Sequence, residues 1–142
     1  MCGISGIFDW NSLKNAEHIA LIMKDAQDHR GPDFNSTYKD ENILISHNRL
    51  SIIDLDHHSN QPMHSNLGDV VISYNGELYN YLNLKSELEA TYTFKTQSDT
   101  EVIIASYLKW GMRMLERFEG MFAFALWDNC LLYTSPSPRD QS

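Results

Sequence analysis

The sequence of 142 residues has few of the features that mark secreted, fibrous or membrane-spanning proteins. Its two cysteines, Cys2 and Cys130, are too few for the disulfide framework of a small secreted scaffold. Four prolines and seven glycines exclude collagen-like and low-complexity chains. No window approaches the roughly 18 apolar residues of a transmembrane helix, and the N-terminus lacks the basic region of a signal peptide. We therefore expect a cytoplasmic chain with reduced thiols.

Basic residues are also scarce. Eleven Lys and Arg against 19 Asp and Glu give a net charge of −8 and a pI near 5.0. Such a surface repels phosphate backbones and anionic lipid, so nucleic acid and membranes are poor partners. Apolar residues make up 42% of the chain and aromatic residues 11%, which excludes an intrinsically disordered chain. The length fits one domain.

Strand and helix patterns come in clusters rather than in strict βαβ alternation, which favours an α+β fold over a doubly wound parallel sheet. Asn11 or Ser12 is expected to cap the first helix, and Ser98 with Glu101 predicts a capping box. Residues 56–66 are interpreted as a surface loop. Strands are expected at residues 2–8, 34–38, 43–47, 51–55, 70–74, 92–96 and 121–127, and helices at residues 13–27, 78–88, 98–110 and 114–118.

The C-terminal end has a different character. After residue 128 the pattern of apolar residues ends, and residues 131–142 are rich in serine and proline without periodicity. We expect the domain to span residues 2–128, with a disordered or non-native tail over residues 129–142.

Cys2 is a candidate nucleophile. It follows a Met that aminopeptidases remove when the next side chain is small, so the mature chain could begin with cysteine. A free α-amino group, with a pKa of roughly 7.7–8.0, can then take the thiol proton itself. Such a nucleophile needs no separate histidine. The alternative is a small, unreactive buried cysteine beside a retained Met1.

Asn75 and Gly76 follow an apolar strand pattern. An Asn side-chain amide and a neighbouring backbone N–H can form an oxyanion hole, which stabilises charge developing on a carbonyl oxygen. The alternative is a hairpin turn, for which Asn-Gly is a strong signal. The helical spacing of Leu78, Tyr81, Leu84 and Leu88 after this pair argues against that turn.

Two charged residues are candidates for holding a substrate. Arg49 follows a predicted strand and could bind a substrate carboxylate with two hydrogen bonds, or it could be an ordinary surface residue. Asp99 stands in the first turn of a predicted helix, where the helix dipole favours an acid whatever its function. A functional Asp99 would instead hold a substrate ammonium group.

Metal and nucleotide sites are poorly supported. The spacing of His57, His58 and His64 fits no tight ligand motif, so we expect no metal. The chain has neither a glycine-rich P-loop nor a dinucleotide-binding fingerprint, so it shows no ATP site of its own.

Seven segments together resemble a known family. The chain is similar to class II glutamine amidotransferase domains, which have the N-terminal nucleophile hydrolase fold. Within that class it resembles the asparagine synthetases, through residues 48–52 and 61–63, more than the sugar-phosphate or phosphoribosyl amidotransferases. The matching segments are residues 1–7 (MCGISGI), 29–33 (HRGPD), 46–55 (SHNRLSIIDL), 61–63 (QPM), 74–81 (YNGELYNY), 98–101 (SDTE) and 118–125 (FEGMFAFA).

The resemblance implies a role for each candidate. Cys2 would attack the side-chain amide of glutamine, releasing ammonia and leaving a thioester that water hydrolyses to glutamate. Asn75 and Gly76 would form the oxyanion hole. Arg49 would bind the α-carboxylate of L-glutamine and Asp99 its α-ammonium. The pocket would be completed by Leu50, Ile52, Ile53 and Glu77, while the turn at residues 30–33 would be architectural.

The resemblance also implies an α+β fold, a four-layer αββα sandwich of two antiparallel sheets that is incomplete at the C-terminus. In the family, further strands follow, then a synthetase domain that activates aspartate with ATP and Mg²⁺, and a homodimer is compatible with the full-length protein. We expect missing strands to expose sheet edges, making the chain poorly soluble or partly folded. Two alternatives stay open: an inactive fragment that at most binds glutamine, and an amidotransferase with another ammonia acceptor.

Overall fold

The computed structural model describes residues 2–50 and 60–130 of the chain. The predicted strand at residues 51–55, Ile52 and Ile53 within it, and the tail at residues 131–142 lie outside the described residues. The elements, in chain order, are β1 (Gly3–Phe8), α1 (Ala16–Gln27), β2 (Phe34–Lys39), β3 (Ile43–Arg49), β4 (Met63–His64), β5 (Val70–Leu78), α2 (Tyr81–Leu88), α3 (Asp99–Trp110), a 3₁₀ helix (Gly111–Arg117) and β6 (Gly120–Asp128).

The strands form two antiparallel sheets. In the first sheet β3 lies between β1 and β2, with Gly3 opposite Asn48 and Phe34 opposite Arg49. In the second sheet β5 lies between β4 and β6. Each sheet places a largely buried strand at its centre, because a central strand is covered on both faces.

The helices cover the outer faces of the two sheets. Helix α1 packs on β3, whereas α3 packs on β5 and α2 packs on α3. Side chains from β5, α2, α3 and the 3₁₀ helix form the main core, including Ile72, Leu88, Ile103 and Met114, each fully buried. The order of layers is therefore helix, sheet, sheet, helix, and the predicted α+β fold of αββα type is confirmed.

Polar contacts join the two sheets where β3 faces β5. The Ser73 hydroxyl donates to the carbonyl oxygen of Ser46 over 3.1 Å, and Nε2 of His47 lies 2.9 Å from the carbonyl oxygen of Tyr74. Buried polar groups need such partners, because an unpaired one costs about 1–3 kcal/mol. These contacts fix the second half of β5 against the C-terminal end of β3.

Strand β5 is longer than the sequence predicts. The expected strand ended at Tyr74, but β5 continues through Asn75 and Gly76 to Leu78, and α2 begins only at Tyr81. Gly76 has φ of 145°, and a Cβ there would lie 2.2 Å from the carbonyl oxygen of Met121 on β6. The glycine therefore permits close pairing of two strands and does not form a turn.

Two other expectations about local structure are wrong. Residues 92–96 alternate in polarity but form no strand, although Tyr92 and Phe94 still pack against the core. Part of the expected surface loop at residues 56–66 forms β4, and Gln61 and Met63 are buried. In both cases the pattern reports which side chains face the core and not whether the backbone pairs with another strand.

The helix starts also differ from expectation. Helix α1 begins after Asn15, which has a left-handed φ of 56° and no side-chain cap, so neither Asn11 nor Ser12 caps it. Ser98 does cap α3, accepting from the Thr100 amide. Glu101 accepts from the amides of residues 95 and 96 instead of closing a capping box.

None of the helices in the described part of the chain has the length and hydropathy of a membrane-spanning segment.

Candidate functional site

Cys2 lies at the N-terminal end of β1, next to the C-terminal end of β3. The Leu50 amide donates to Sγ of Cys2 over 3.2 Å, and Sγ lies 3.5 Å from the Leu50 carbonyl oxygen. The pairing of Gly3 with Asn48 produces this proximity, since it brings the residue before β1 beside the residues that end β3.

The turn at residues 30–33 packs directly against Cys2 and β3. Nε of Arg30 donates to the Cys2 carbonyl oxygen over 3.3 Å, and the Asp33 amide donates to the Arg49 carbonyl oxygen over 3.0 Å. A Cβ at Gly31 would lie 2.2 Å from the Asn48 carbonyl oxygen, so only glycine allows this approach. The turn therefore holds the backbone on both sides of the thiol.

Arg49 is the last residue of β3 and is buried. Its Nη1 donates to the side-chain oxygen of Asn60. The guanidinium is thus held at the strand end beside Leu50, which also contacts Cys2. A buried, hydrogen-bonded guanidinium holds its N–H groups in a fixed plane.

Tyr74 connects several parts of the site. Its amide donates to Oε1 of Gln61 over 2.5 Å, its carbonyl oxygen contacts His47, and its hydroxyl donates to Oδ2 of Asp99 over 2.9 Å. Burial raises the pKa of Tyr74, and the charge of Asp99, its hydrogen bond, Glu77 and Cys2 raise that pKa further. Tyr74 therefore joins Gln61, His47 and Asp99 through its amide, its carbonyl oxygen and its hydroxyl.

Asp99 begins α3 and is only 4% exposed. Oδ2 accepts hydrogen bonds from the Tyr74 hydroxyl and from the Leu78 amide, the latter over 3.1 Å. Burial raises the pKa of this carboxyl, although both hydrogen bonds oppose the rise. No basic side chain in residues 2–50 or 60–130 forms an ion pair with Asp99. A carboxylate placed this way attracts an external cation.

Asn75, Gly76 and Glu77 follow Tyr74 along β5, opposite residues 121–123 of β6. Asn75 is half-buried, while Gly76 and Glu77 are exposed at the surface. The charge of Glu77 reaches Tyr74, as that of Cys2 does. The three residues therefore place an amide side chain, a glycine without a side chain and a carboxylate in succession after Tyr74 on β5.

The structure thus brings Cys2, Leu50 and Arg49 together at one end of the first sheet. It brings Asn75, Gly76, Glu77 and Asp99 together around Tyr74 on the second sheet. The contact of His47 with the Tyr74 carbonyl oxygen connects the two groups.

Sequence reasoning missed Tyr74, Gln61 and His47 as individual residues of the site. Gln61 bridges the Tyr74 amide and the Thr100 hydroxyl, its Nε2 lying 3.2 Å from Oγ1. Strand β4 begins at Met63, which pairs with Ile72 of β5, so the Gln61 side chain serves the Tyr74 amide beyond the end of the ladder. All three residues lie in the segments that carried the family resemblance, but no periodicity or spacing singles them out.

Residues 2–50 and 60–130 contain no group of three or more His, Cys, Asp or Glu side chains that could hold a metal ion. His57 and His58 lie outside these ranges, so the expectation about them stays a prediction.

The chain is similar to several proteins that are named as glutamine-hydrolyzing asparagine synthetases. Asparagine synthetase B [glutamine-hydrolyzing] of Escherichia coli (strain K12) is 39% identical over 134 residues, which cover 91% of this chain and 23% of that protein. Asparagine synthetase [glutamine-hydrolyzing] 1 of Bacillus subtilis (strain 168) is 40% identical over 144 residues, covering 97% of this chain and 23% of that protein. A putative asparagine synthetase [glutamine-hydrolyzing] of Mycobacterium tuberculosis (strain ATCC 25618 / H37Rv) is 43% identical over 111 residues, covering 70% and 17%.

The chain therefore spans about a quarter or less of the length of these curated relatives. The family model of the glutamine amidotransferase domain matches residues 1–132, which include every element described above. On this match, the chain belongs to the glutamine amidotransferase domain family.

Proposed function

We propose that this domain hydrolyses the side-chain amide of L-glutamine to glutamate and ammonia, with Cys2 as nucleophile. The observation that carries the proposal is the contact between His47 and the Tyr74 carbonyl oxygen, which joins the strand that ends beside Cys2 to the residue that binds the buried Asp99 carboxylate. A thiol and a buried carboxylate connected in this way would suit the two ends of an amino-acid substrate. The family match agrees with this chemistry.

The nucleophilic step needs a thiolate and a proton acceptor. After removal of Met1, the α-amino group of Cys2 would take the thiol proton, and the Leu50 amide would stabilise the sulfur anion. Sγ then bonds to the amide carbon of glutamine. The nitrogen leaves as ammonia once it has received a proton, and a thioester remains. Water adds to the thioester, the carbon–sulfur bond breaks, and glutamate is released with the thiol restored.

Negative charge develops on the amide oxygen in the first half of the reaction and on the thioester carbonyl oxygen in the second. Asn75 and Gly76 would supply the donors for it, from a strand whose position is fixed by pairing with β6. Such donors lower a barrier most when they are held in place before the reaction. Gly76 lacks the Cβ that would collide with β6, so this pairing can be close where the donors stand.

The two ends of glutamine would meet opposite charges. Arg49 would bind the α-carboxylate, with Leu50, Ile52 and Ile53 lining that side of the pocket. Asp99 would bind the α-ammonium, and Glu77 would add negative charge nearby. This charge arrangement would favour a free α-amino acid over a peptide-linked glutamine.

In the longer relatives, the released ammonia would serve asparagine synthesis from aspartate. Hydrolysis itself would use only groups of this domain, whereas ATP and Mg²⁺ would act in a synthetase domain that is the partner of this one. A homodimer of the full-length protein is part of the same proposal. The names of the relatives, which are glutamine-hydrolyzing asparagine synthetases, support this assignment.

The test is glutamate release from L-glutamine by the purified chain after intact mass has shown that Met1 is absent. Cys2→Ala should abolish release and leave the far-ultraviolet circular dichroism unchanged. Cys130→Ala is the matched control, because Cys130 is exposed and contacts Asp69 away from the site. Full activity in Cys2→Ala would overturn the nucleophile, and binding of glutamine without turnover by the processed wild type would favour a binding module.

A further inference from the structure

The tyrosine hydroxyl that contacts Asp99 has no part in the chemistry described so far. Tyr74 is 3% exposed, and its hydroxyl donates to the same carboxylate oxygen, Oδ2, that accepts from the Leu78 amide. One donor comes from the middle of β5 and the other from its end. Because both donors belong to one strand, they fix how far the Asp99 carboxylate lies from β5 and how it is rotated. The carboxylate itself belongs to a different element, α3.

The backbone of Tyr74 is held as firmly as its side chain. Its amide is bound by Gln61, and its carbonyl oxygen by His47 from the opposite sheet. Both of these residues are buried. The tyrosine ring therefore has a fixed anchor, and its hydroxyl can transmit that fixed position to the carboxylate.

We infer that Tyr74 is a positioning residue that sets the affinity of the site for the α-ammonium group of the substrate, by holding the Asp99 carboxylate through its hydroxyl. This inference rests on the proposed function, since it deepens the role assigned there to Asp99. Without the hydroxyl, the carboxylate keeps backbone donors, the amides of Leu78, Asp99 and Thr100, and loses the contact that holds it toward the middle of β5. Recognition of the ammonium then weakens, while the thiol and the oxyanion donors keep their places.

Tyr74→Phe removes one oxygen and retains the buried ring. We expect KM for L-glutamine to rise about tenfold with kcat changed less than twofold, because the variant loses a hydrogen bond to the charged group that would bind the ammonium. Glutaramate, which is glutamine without its α-amino group, supplies the second readout. Its kcat/KM should be the same in the variant and the wild type, since it offers no ammonium to Asp99.

Tyr107→Phe is the matched control. The Tyr107 hydroxyl donates to Oδ2 of Asp128 over 2.7 Å, so the same chemical change breaks an equivalent Tyr–Asp hydrogen bond. Asp128 lies four residues from Phe124, the partner of Tyr74, which is about 13 Å along β6. We expect this control to leave both KM values unchanged.

Equilibrium binding keeps the inference separate from the proposed function. Calorimetry with the Cys2→Ala chain measures Kd for L-glutamine and glutaramate, with and without Tyr74→Phe. A tenfold weaker Kd for glutamine alone supports the positioning role even if the wild type shows no hydrolysis, an outcome that overturns only the proposed function. Equal Kd values for glutamine, or an equal loss for both ligands, would overturn the positioning role. Absence of glutamine binding in Cys2→Ala would overturn both.

Discussion

Acidification should destabilise this domain through His47. The imidazole is fully buried on β3, and Nε2 contacts the Tyr74 carbonyl oxygen, so Nε2 carries the proton and Nδ1 is unprotonated. Nδ1 is buried and finds no hydrogen-bond partner in residues 2–50 and 60–130. Burial lowers the pKa of His47 from 6.5 to about 4, the contact with Tyr74 opposes this, and the charge of Arg49 lowers it further.

The direction of the effect follows from proton counts. Between pH 6.5 and about 4 the unfolded chain binds a proton at His47 that the folded chain does not bind. The free energy of unfolding therefore falls as the pH falls through this window. The contribution of His47 to stability is fully present above pH 6.5 and is lost as the pH falls to about 4. A pKa difference of one is worth about 1.4 kcal/mol, so the loss attributable to His47 at pH 4 is about 3 kcal/mol.

Urea unfolding followed by tryptophan fluorescence at pH 4, 5, 6 and 7 measures this loss. His47→Gln retains an N–H donor for the Tyr74 carbonyl oxygen but cannot titrate. Between pH 7 and pH 4 it should lose about 3 kcal/mol less stability than the wild type, and other titrating groups cancel in this difference. His18→Gln, which removes an exposed imidazole on α1, is the control and should follow the wild type. A difference below about 1 kcal/mol, or one of opposite sign, would refute the reasoning.

Three substitutions test the packing around the site. Gly76→Ala should unfold or severely destabilise the chain in thermal melts, because its Cβ would lie 2.2 Å from the Met121 carbonyl oxygen at a φ of 145°; a melt within a few degrees of the wild type would contradict the observed pairing of β5 with β6. Ile103→Ala should lower the free energy of unfolding in urea by about 2–5 kcal/mol, because Ile103 is fully buried. Leu82→Ala, at an exposed position, should lower it by less than about 0.5 kcal/mol. Equal losses would place Ile103 outside the core. Gln61→Ala should cost about 1–3 kcal/mol by leaving the Tyr74 amide unpaired, and a neutral result would show that the Gln61 bond is replaceable.

Several parts of the fold could be predicted from local pattern. The helical spacing before Trp110 and the apolar run after Gly120 correspond to α3 and β6. The strands β2 and β3 were placed within two residues of their observed ends. These elements have strong patterns because each buries one face or both faces in the core, and burial selects side chains at the period of the element.

The errors occurred where tertiary contacts override a local signal. The predicted strand ended at Tyr74 and the predicted helix began at Leu78, yet β5 continues through Gly76 to Leu78, paired with β6 at a distance that leaves no room for a Cβ. Residues 92–96 alternate as a strand does, yet their polar backbone groups are satisfied in part by Glu101 of α3. Local pattern contains no information about which neighbour a backbone group will find.

By itself, the sequence determined the fold class, the family and the candidates Cys2, Arg49, Asn75 and Asp99, because their motifs are contiguous and their chemistry is local. Only the tertiary structure decided that Tyr74 contacts Asp99, that Gln61 serves the Tyr74 amide and that His47 joins the two sheets. These contacts link residues 13 to 27 positions apart in the chain. Their partners are selected by the packing of one sheet on another and of α3 on β5, which no spacing in the sequence encodes.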